Sequence, residues 1–440
     1  VEADLVRDAR RIFEAAVRAV QAPALLADLD LERLAGRPLG SFRQLVVVGT
    51  GKASMAVAGA LEVRLEQGAD RVEGEVVVPT GYPEAFPDGL PRPARVAVAE
   101  GGHPVPTEGS VRAAQRALAR AEAAGPDDLV VALVSGGGSA LWALPAHGLT
   151  LDDVQATTRL LLASGVEIGG VNAVRKHVSQ VAGGRLAVAA APSRLVALVL
   201  SDVVGDDLAT VASGPTVPDP TTFADALAVL AGAGLTGRAP RAVRLHLERG
   251  AAGRLPETPG ADDPAFETAR THLLAGNDTA LDAARREAER LGYAVRAVER
   301  EVEGEARTVG DRAARRAGAA SPGGPACWLW GGETTVTVVG TGRGGRNQEV
   351  ALAAALALDG ADADLVVLSG GTDGVDGPTD AAGGWASPRT AGRIRAAGLD
   401  PAACLADNDA YRALDAAGAL VRTGPTHTNV ADVALALRGA

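Results

Sequence analysis

One pattern governs what this chain can fold into. A short Val- and Leu-rich run stops abruptly at a turn rich in Gly, Asp or Asn, and a helix-compatible stretch usually follows. It occurs at 45–54 (LVVVGTGKAS), 129–139 (LVVALVSGGGS), 195–207 (LVALVLSDVVGDD), 273–279 (LLAGNDT), 328–335 (WLWGGETT) and 365–376 (LVVLSGGTDGVD). Continuous apolar runs are the signature of strands buried on both faces. Strands alternating with helices imply βαβ units, hence an α/β fold with mainly parallel sheets flanked by helices. Ligands of such folds bind beyond the carboxyl ends of the strands. Those ends are where the unusual polar residues of this chain gather.

With 440 residues, two domains are expected, because single cores stop growing near 250–300 residues. Breakers crowd the stretch from Thr236 to Pro264 (Gly237, Pro240, Gly250, Gly253, Pro256, Pro259, Gly260 and Pro264). The sequence therefore predicts a first domain over 1–240, a linker over 241–264 and a second domain over 265–440. Ser321 to Pro325 is a second break. Val1 to Gln21 carries apolar Leu5, Ile12, Ala16 and Val20 among alternating charges, which reads as an amphipathic helix able to pack on either domain.

Lysine usage narrows the chemistry. Only Lys52 and Lys176 occur, against forty-one arginines. A solvated charge tolerates exchange of ammonium for guanidinium, whereas a site needing a compact point charge does not. Lys52 follows a Val run in Gly49-Thr50-Gly51-Lys52 and precedes a helix expected from Ala53 to about Gln67. A glycine turn at a helix start, with a lysine added, outlines a phosphate or carboxylate site. It is not a P-loop, since Val46 and Ala53 stand where Gly and Ser or Thr are required. Nor does it fit a dinucleotide fingerprint. Ser54 occupies the third glycine position, and the next strand, Val76-Val77-Val78, ends in Pro79-Thr80 with no acidic residue for a ribose.

Four further segments bear chemistry. Ser135-Gly136-Gly137-Gly138-Ser139 is able to wrap an anion with main-chain amides. Asp202, Asp206 and Asp207 follow a buried strand and suit Mg2+, which takes few carboxylates plus substrate oxygens. Asp202, nearest the strand end, is also a candidate proton acceptor. Gly340 to Glu349 places Arg343 and Arg346 in a glycine-rich setting before a helix over Asn347–Leu358, the expected form of a phosphate clamp. Ser369 to Asp380 adds Asp373, Asp376 and Asp380 as metal or base candidates. His103 and His427 sit in turns, where facing a ligand and packing a loop are equally open readings. The five asparagines, Asn172, Asn277, Asn347, Asn408 and Asn429, all stand in polar segments.

A net charge of −11 argues against a nucleic-acid surface. No apolar run approaches the roughly 18 residues of a membrane span. Two distant cysteines without a CxxC pattern leave a disulfide framework or zinc site unsupported, and reduced thiols in a cytoplasmic protein are the expectation.

Taken together, GTGKAS, EGGHPVPTEGS, LVSGGGSALW, GVNAVRKHVSQVAGGRLA, LSDVVGDDLATVASGPTVPD, GNDTAL, GGETTVTVVGTGRGGRNQEVAL, LSGGTDGVDGPTDAAGG and GPTHTNVADV resemble the class II glycerate 2-kinases, the MOFRL family. The resemblance runs in order along nearly the whole chain. It implies a Rossmann-like N-terminal domain, a C-terminal domain containing the MOFRL segment at about 325–437, and an active site in the cleft between them. It further implies ATP- and Mg2+-dependent phosphorylation of D-glycerate at the 2-hydroxyl, giving 2-phospho-D-glycerate. By motif match Lys52, Arg343 and Arg346 carry over as active-site residues. Lys52 is assigned to the transferring phosphate or the glycerate carboxylate, and Asp202 or Asp373 to Mg2+ or the proton. The expected binding set comprises Gly49, Gly51, Ser135, Gly136, Gly137, Gly138, Ser139, Asn277, Asp278, Glu333, Asn347, His427 and Asn429. The expected metal candidates are Asp202, Asp206, Asp207, Asp373 and Asp376. The implied partners are D-glycerate and a nucleotide, with a homo-oligomer left open. Relatives often carry the label hydroxypyruvate reductase, so an NAD(P)H-dependent reductase is the competing reading. A non-catalytic anion-binding module is the third, and it leaves the acidic loops unexplained.

Overall fold

The computed structural model describes residues 1–65, 71–319 and 323–439. The expected helix end near Gln67 and the break at Ser321 and Pro322 lie outside them. The chain divides into two compact units, one of Leu25–Ser201 with Asp206–Leu274, the other of Val1–Ala24, Asp202–Gly205 and Ala275–Ala440.

The first unit is built on a six-stranded sheet. Its strands are β1 (Leu45–Thr50), β2 (Val72–Pro79), β3 (Val96–Gly101), β4 (Leu129–Val134), β5 (Arg194–Leu200) and β6 (Ala269–Ala275), in the order β3-β2-β1-β4-β5-β6. Each pairing from β3 through β5 is parallel. β1 and β4 are buried along their whole length, as the uninterrupted apolar runs predict. The helices Ser54–Arg64 and Glu108–Ala123 pack against this sheet.

The expected linker is instead part of this unit. Arg241–Ala251 is a helix whose Val243 and Leu247 are buried with Phe223, Leu161 and Val174. The breakers bound or serve the helix and do not dissolve it. Pro240 stands at its N-cap. Gly250 gives room to the Phe223 ring, which a Cβ would meet at 2.2 Å. Gly253 turns the chain at φ +68. Beyond it, the Pro259 carbonyl accepts the Asp219 amide at 2.9 Å. His246 bonds the His177 carbonyl at 3.0 Å and packs on Phe223, a structural place as its sequence setting suggests.

The second unit carries β7 (Ala294–Val302), β8 (Ala326–Gly332), β9 (Leu365–Gly371), β10 (Gly383–Ala386), β11 (Leu420–Val421) and β12 (Asp432–Arg438), in the order β11-β10-β9-β12-β8-β7. Here the expectation of a mainly parallel sheet needs amending. Only β7 and β8 pair in parallel, while β12 runs antiparallel between β8 and β9. The reason is topological: β8 and β9 point the same way with a gap between them, and the last strand fills it in reverse. Asp432, the first residue of β12, consequently stands opposite both Gly332 and Gly371, the last residues of β8 and β9. The helix Glu2–Ala19 joins this unit, with Phe13 against Gly370, whose Cβ would approach the ring at 2.7 Å.

Both cysteines are buried free thiols. No helix among the described residues is long and apolar enough to cross a membrane.

Candidate functional site

In the first unit the strand order reverses between β1 and β4, the place where a doubly wound sheet opens a ligand crevice beyond its carboxyl ends. Lys52 and the Ser135–Ser139 loop leave the sheet there. The two turns are stitched together: the Lys52 amide donates to the Gly136 carbonyl at 3.0 Å, and the Ser135 amide to the Thr50 carbonyl at 3.0 Å. The Ala53 amide donates to Ser135 Oγ at 3.0 Å. Gly51 sits at φ +112, and a Cβ on it would lie 2.2 Å from Ser135 Oγ, so glycine is required twice over. A Cβ on Gly137 (φ +84) would meet His103 Nε2 at 3.2 Å and Lys52 Cγ at 3.8 Å, which places His103 beside the lysine.

Ser139 shares a 2.8 Å hydrogen bond with Ser213, and Ser213 donates to Asn172 Oδ1 at 3.0 Å. Ala212 and Ser213 hold left-handed backbone (φ 49 and 60), an uncommon state for residues with side chains. That conformation brings Ala212 against Gly138, where a Cβ would approach to 2.6 Å.

Two residues that the sequence singles out have structural engagements in this unit. Gly49, expected in the binding set, lies inside β1, where its missing Cβ makes space for Val76, which gives it a packing role in the sheet. Lys176 is buried in an ion pair with Asp219 at 3.1 Å, a structural role. Asp207 is exposed and accepts from the Ala209 amide and the Thr210 hydroxyl within its own turn, and Asp206 lies beside it in left-handed backbone. These two belong to the first unit and Asp202 to the second.

In the second unit the strand ends converge on Arg346. Its Nε and Nη2 donate to the two oxygens of Asp432 at 2.6 and 3.1 Å, a two-pronged pair, and its Nη1 donates to Glu333 at 2.5 Å. Burial works against this charge, but Asp432 and Glu333 outweigh it and raise the proton affinity of Arg346. Although 42% of the Glu333 side-chain surface reaches solvent, its carboxyl is closely surrounded. That desolvation pushes it up to about 7, aided by Asp432 and Asp202 and opposed by Arg346. Asn277 donates to the carbonyls of Val430 and Asp432 at 2.8 and 2.9 Å. Gly331 admits it, since a Cβ there would lie 1.9 Å from Asn277 Oδ1.

Asp376, one of the expected metal candidates, is engaged at a helix start. Its two oxygens accept the Asn347 and Gln348 amides at 3.2 and 2.9 Å, capping the helix Arg346–Ala357. Burial, with Asp432 nearby, pushes this carboxyl up to about 7 against those two hydrogen bonds. The glycines explain the fit: a Cβ on Gly345 would lie 2.3 Å from the Asp376 carboxyl carbon, and one on Gly377 2.2 Å from the Gly344 carbonyl. Asn347 itself accepts from Ser369 at 2.6 Å.

The two arginines of the glycine-rich loop part company. Arg343 is exposed, stacks over the Tyr411 ring at 4.6 Å and donates to the Pro378 carbonyl at 2.9 Å. Asp278 is likewise a surface residue, paired with Arg300 at 2.7 Å. Asp380 is exposed and bonds Tyr411 at 2.6 Å. Asp202 accepts from Asn429 at 2.8 Å. The Asp373 carbonyl accepts the Thr426 amide at 3.0 Å, and Thr372 bonds Ala431 and Val430, so the loops holding Asp373, His427 and Asn429 are laced together. His427 is enclosed there in left-handed backbone (φ 55).

Sequence reasoning overlooked Asp432. Its signal was an acidic residue opening the alternating run Asp432-Val-Ala-Leu-Ala-Leu, directly after the polar GPTHTN turn. Among the described residues no group of three or more His, Cys, Asp or Glu side chains is placed to hold a metal ion.

Residues 8–248 match a family described as a domain of unknown function, DUF4147, and residues 326–432 match the MOFRL family. A glycerate 2-kinase from Pyrococcus horikoshii is 40% identical over 90% of this chain and 87% of its own. The chain belongs to the MOFRL family of glycerate 2-kinases. A D-glycerate 2-kinase from Thermotoga maritima is 39% identical over 91% of this chain and 92% of its own. The crystal structure of a Thermotoga maritima glycerate kinase superposes with a TM-score of 0.81 at 37% identity, covering 99% of each chain. An Agrobacterium vitis protein labelled hydroxypyruvate reductase is 43% identical over 98% of this chain and 94% of its own. The MOFRL match begins at the first residue of β8 and ends on Asp432, and so encloses the Arg346 cluster.

Proposed function

We propose that this chain transfers the terminal phosphoryl group of ATP to the 2-hydroxyl of D-glycerate, with Mg2+. One observation carries the reading. The kinases from Pyrococcus and Thermotoga match at least 90% of the chain, and Lys52 and Arg346 lie too far from either end to fall outside those matches. Phosphoryl transfer asks a protein to position reactants and neutralise phosphate charge more than to supply covalent chemistry. Lys52 offers a point charge at a strand-end crevice. Arg346 offers a fork whose aim is fixed by Asp432, so a planar donor set stands ready where charge builds on the migrating group. Glu333, already bonded to Arg346, has the proton affinity suited to accepting the hydroxyl proton near neutrality.

Mg2+ fits only as an ion that keeps its waters and shares substrate oxygens. Asp432 is committed to Arg346 and Asp376 to a helix start, so Asp202 and Asp373 are the carboxylates that would hold it. When bound it supplies charge neutralisation on the phosphates. This reading makes Lys52 and Arg346 both essential to turnover. Its setting is the cytoplasm, where ATP and Mg2+ are plentiful.

The reductase reading has support in the Agrobacterium relative, but β2 lies beside β1 and ends at Pro79, with no carboxylate for a dinucleotide ribose. The test is a pair of coupled assays. ADP should form with D-glycerate and ATP, and NADH should not be consumed with hydroxypyruvate. NADH oxidation without ADP formation would overturn the proposal.

A further inference from the structure

The block GVNAVRKHVSQVAGGRLA, which the Lys52 and Arg346 clusters leave unexplained, forms the helix Ile168–His177 and the turn after it. Three of its cations have different fates. Lys176 is paired with Asp219, and Arg185 donates to the carbonyls of Lys176 and Ala182 at 2.9 and 3.2 Å. The Arg175 guanidinium has no hydrogen-bond or ion-pair partner among the described residues, although its carbonyl accepts the Val178 amide at 3.3 Å. It lines a narrow cavity of about 40 Å3 that opens to solvent within the first unit.

The walls of this cavity are mostly apolar, with Trp142 among them, and its polar groups are few: Arg175 and the hydroxyls of Ser139, Ser213, Thr158 and Ser179. The Arg175 side chain is half-buried and still opens to the cavity, and the surrounding burial lowers its proton affinity with no neighbouring carboxylate to offset it. Water in the pocket can hydrate this guanidinium but supplies no counter-charge, whereas an anion entering from solvent does. The low dielectric of such walls strengthens the pair once formed. A few convergent polar groups in an apolar concavity are the ordinary build of a small-molecule site.

The position of the cavity narrows the anion. Its wall includes Ser139, the last residue of the loop whose Gly137 lies against Lys52. We propose that Arg175 receives the carboxylate of the hydroxy-acid substrate, with Ser139 and Ser213 beside its hydroxyl groups, which assigns Lys52 to the phosphoryl group. This deepens the kinase reading and rests on it. A guanidinium suits a planar carboxylate two-pronged, and the ammonium of Lys52 suits a phosphate oxygen. Ser213 is fixed where such a contact needs it, because its bonds to Ser139 and Asn172 hold the left-handed turn that brings it to the cavity.

The test compares the parent with Arg175→Met and Arg175→Lys, using D-glycerate, its neutral amide and Mg2+–ATP as probes. Thermal shift reads binding without turnover, and steady-state kinetics separate the two KM values. D-glycerate should stabilise the parent and the amide should not. In R175M the D-glycerate shift should vanish, the ATP shift should persist, and KM for D-glycerate should rise on the order of 10- to 100-fold. R175K should fall between. Ligand-free R175M should melt no lower than the parent, because no partner is left behind; a structural arginine would show a drop. An equal parental response to acid and amide overturns the proposal and needs no variant. So do failure of the parent to bind D-glycerate, an unchanged KM in R175M, and loss of the ATP shift with the D-glycerate shift retained, which would give the cavity to the nucleotide. If the parent binds D-glycerate through Arg175 but forms no ADP, the kinase reading falls and the carboxylate site stands.

Discussion

Arg346→Met is the most exacting perturbation of the second unit. The guanidinium carries three hydrogen bonds to two carboxylates, and Asp432, with 9% of its side chain exposed, has little access to replacement water. Breaking one partner out of a buried pair costs about 3–5 kcal/mol. Arg346 itself is 33% exposed and Glu333 42%, so the Glu333 contact counts only as a surface pair, ~0–1 kcal/mol. A net loss of about 3 kcal/mol is expected near pH 8, where Glu333 and the neighbouring Asp376 are charged. Near pH 5 Glu333 and Asp376, both pushed up to about 7, carry protons. Much of the repulsion left by the missing cation then disappears, and the loss should shrink to about 1–2 kcal/mol. Urea unfolding followed by tryptophan fluorescence suits the measurement, because Trp328, Trp330 and Trp385 all belong to the second unit and only Trp142 to the first. Turnover of D-glycerate should fall on the order of a thousandfold at either pH. A stability loss equal at the two pH values would refute the assignment of a carboxylate cluster held by one cation.

The other predictions follow from the same geometry. Lys52→Arg should cut turnover on the order of a hundredfold or more while leaving the melting temperature nearly unchanged, since size and hydration of the charge are altered but not its sign; near-normal activity would end the argument from lysine scarcity. Gly51→Ala should destabilise the first unit by about 2–4 kcal/mol, because its Cβ would overlap Ser135 Oγ at positive φ, and a melting curve matching the parent would contradict the turn described. Arg343→Ala should cost about 0.5–1 kcal/mol for the lost stacking on Tyr411 and keep turnover within roughly tenfold of the parent, in contrast to Arg346. Glu333 has a folded proton affinity raised from 4.5 to about 7, so the stability it contributes is complete below 4.5 and is lost as pH rises through 7. Glu333→Gln should therefore flatten the decline in stability between those limits, and an unchanged slope measured by urea titration would refute that origin.

The α/β class, the apolar strands β1, β4, β5 and β9 and the placement of chemistry at their ends were readable because fully buried strands write themselves as unbroken Val and Leu runs. The same rule concealed β7 and β12. The first mixes arginine and glutamate irregularly with Ala and Val and is mostly exposed or half-buried, and the second alternates Ala with Val and Leu in a segment short of other signals. Missing β12 meant missing Asp432 and expecting a parallel sheet. The stretch 241–264 misled because its Pro and Gly residues act as a cap and a close-packing site, functions that composition does not distinguish from a connector. Lys52 and Arg346 stood out by residue type and glycine setting, whereas Arg343 and Asp278 shared that setting and proved to be surface residues. The vacancy around Arg175 has no sequence mark, since it depends on which neighbours fail to be acidic.

The reversed strand at the centre of the second sheet has a consequence for biogenesis. The first unit draws on residues 25–274 and has all its sheet strands once β6 has emerged from the ribosome. The second keeps an open slot between β8 and β9 until residues 432–438 are synthesised, and during that interval two unpaired ladders face solvent. Arg346 meets its fixed carboxylate only when the slot closes. A nascent chain stalled before that point would present exposed strand edges and an unaimed guanidinium, so quality control would meet it as an aggregation-prone species well before any phosphoryl chemistry was possible.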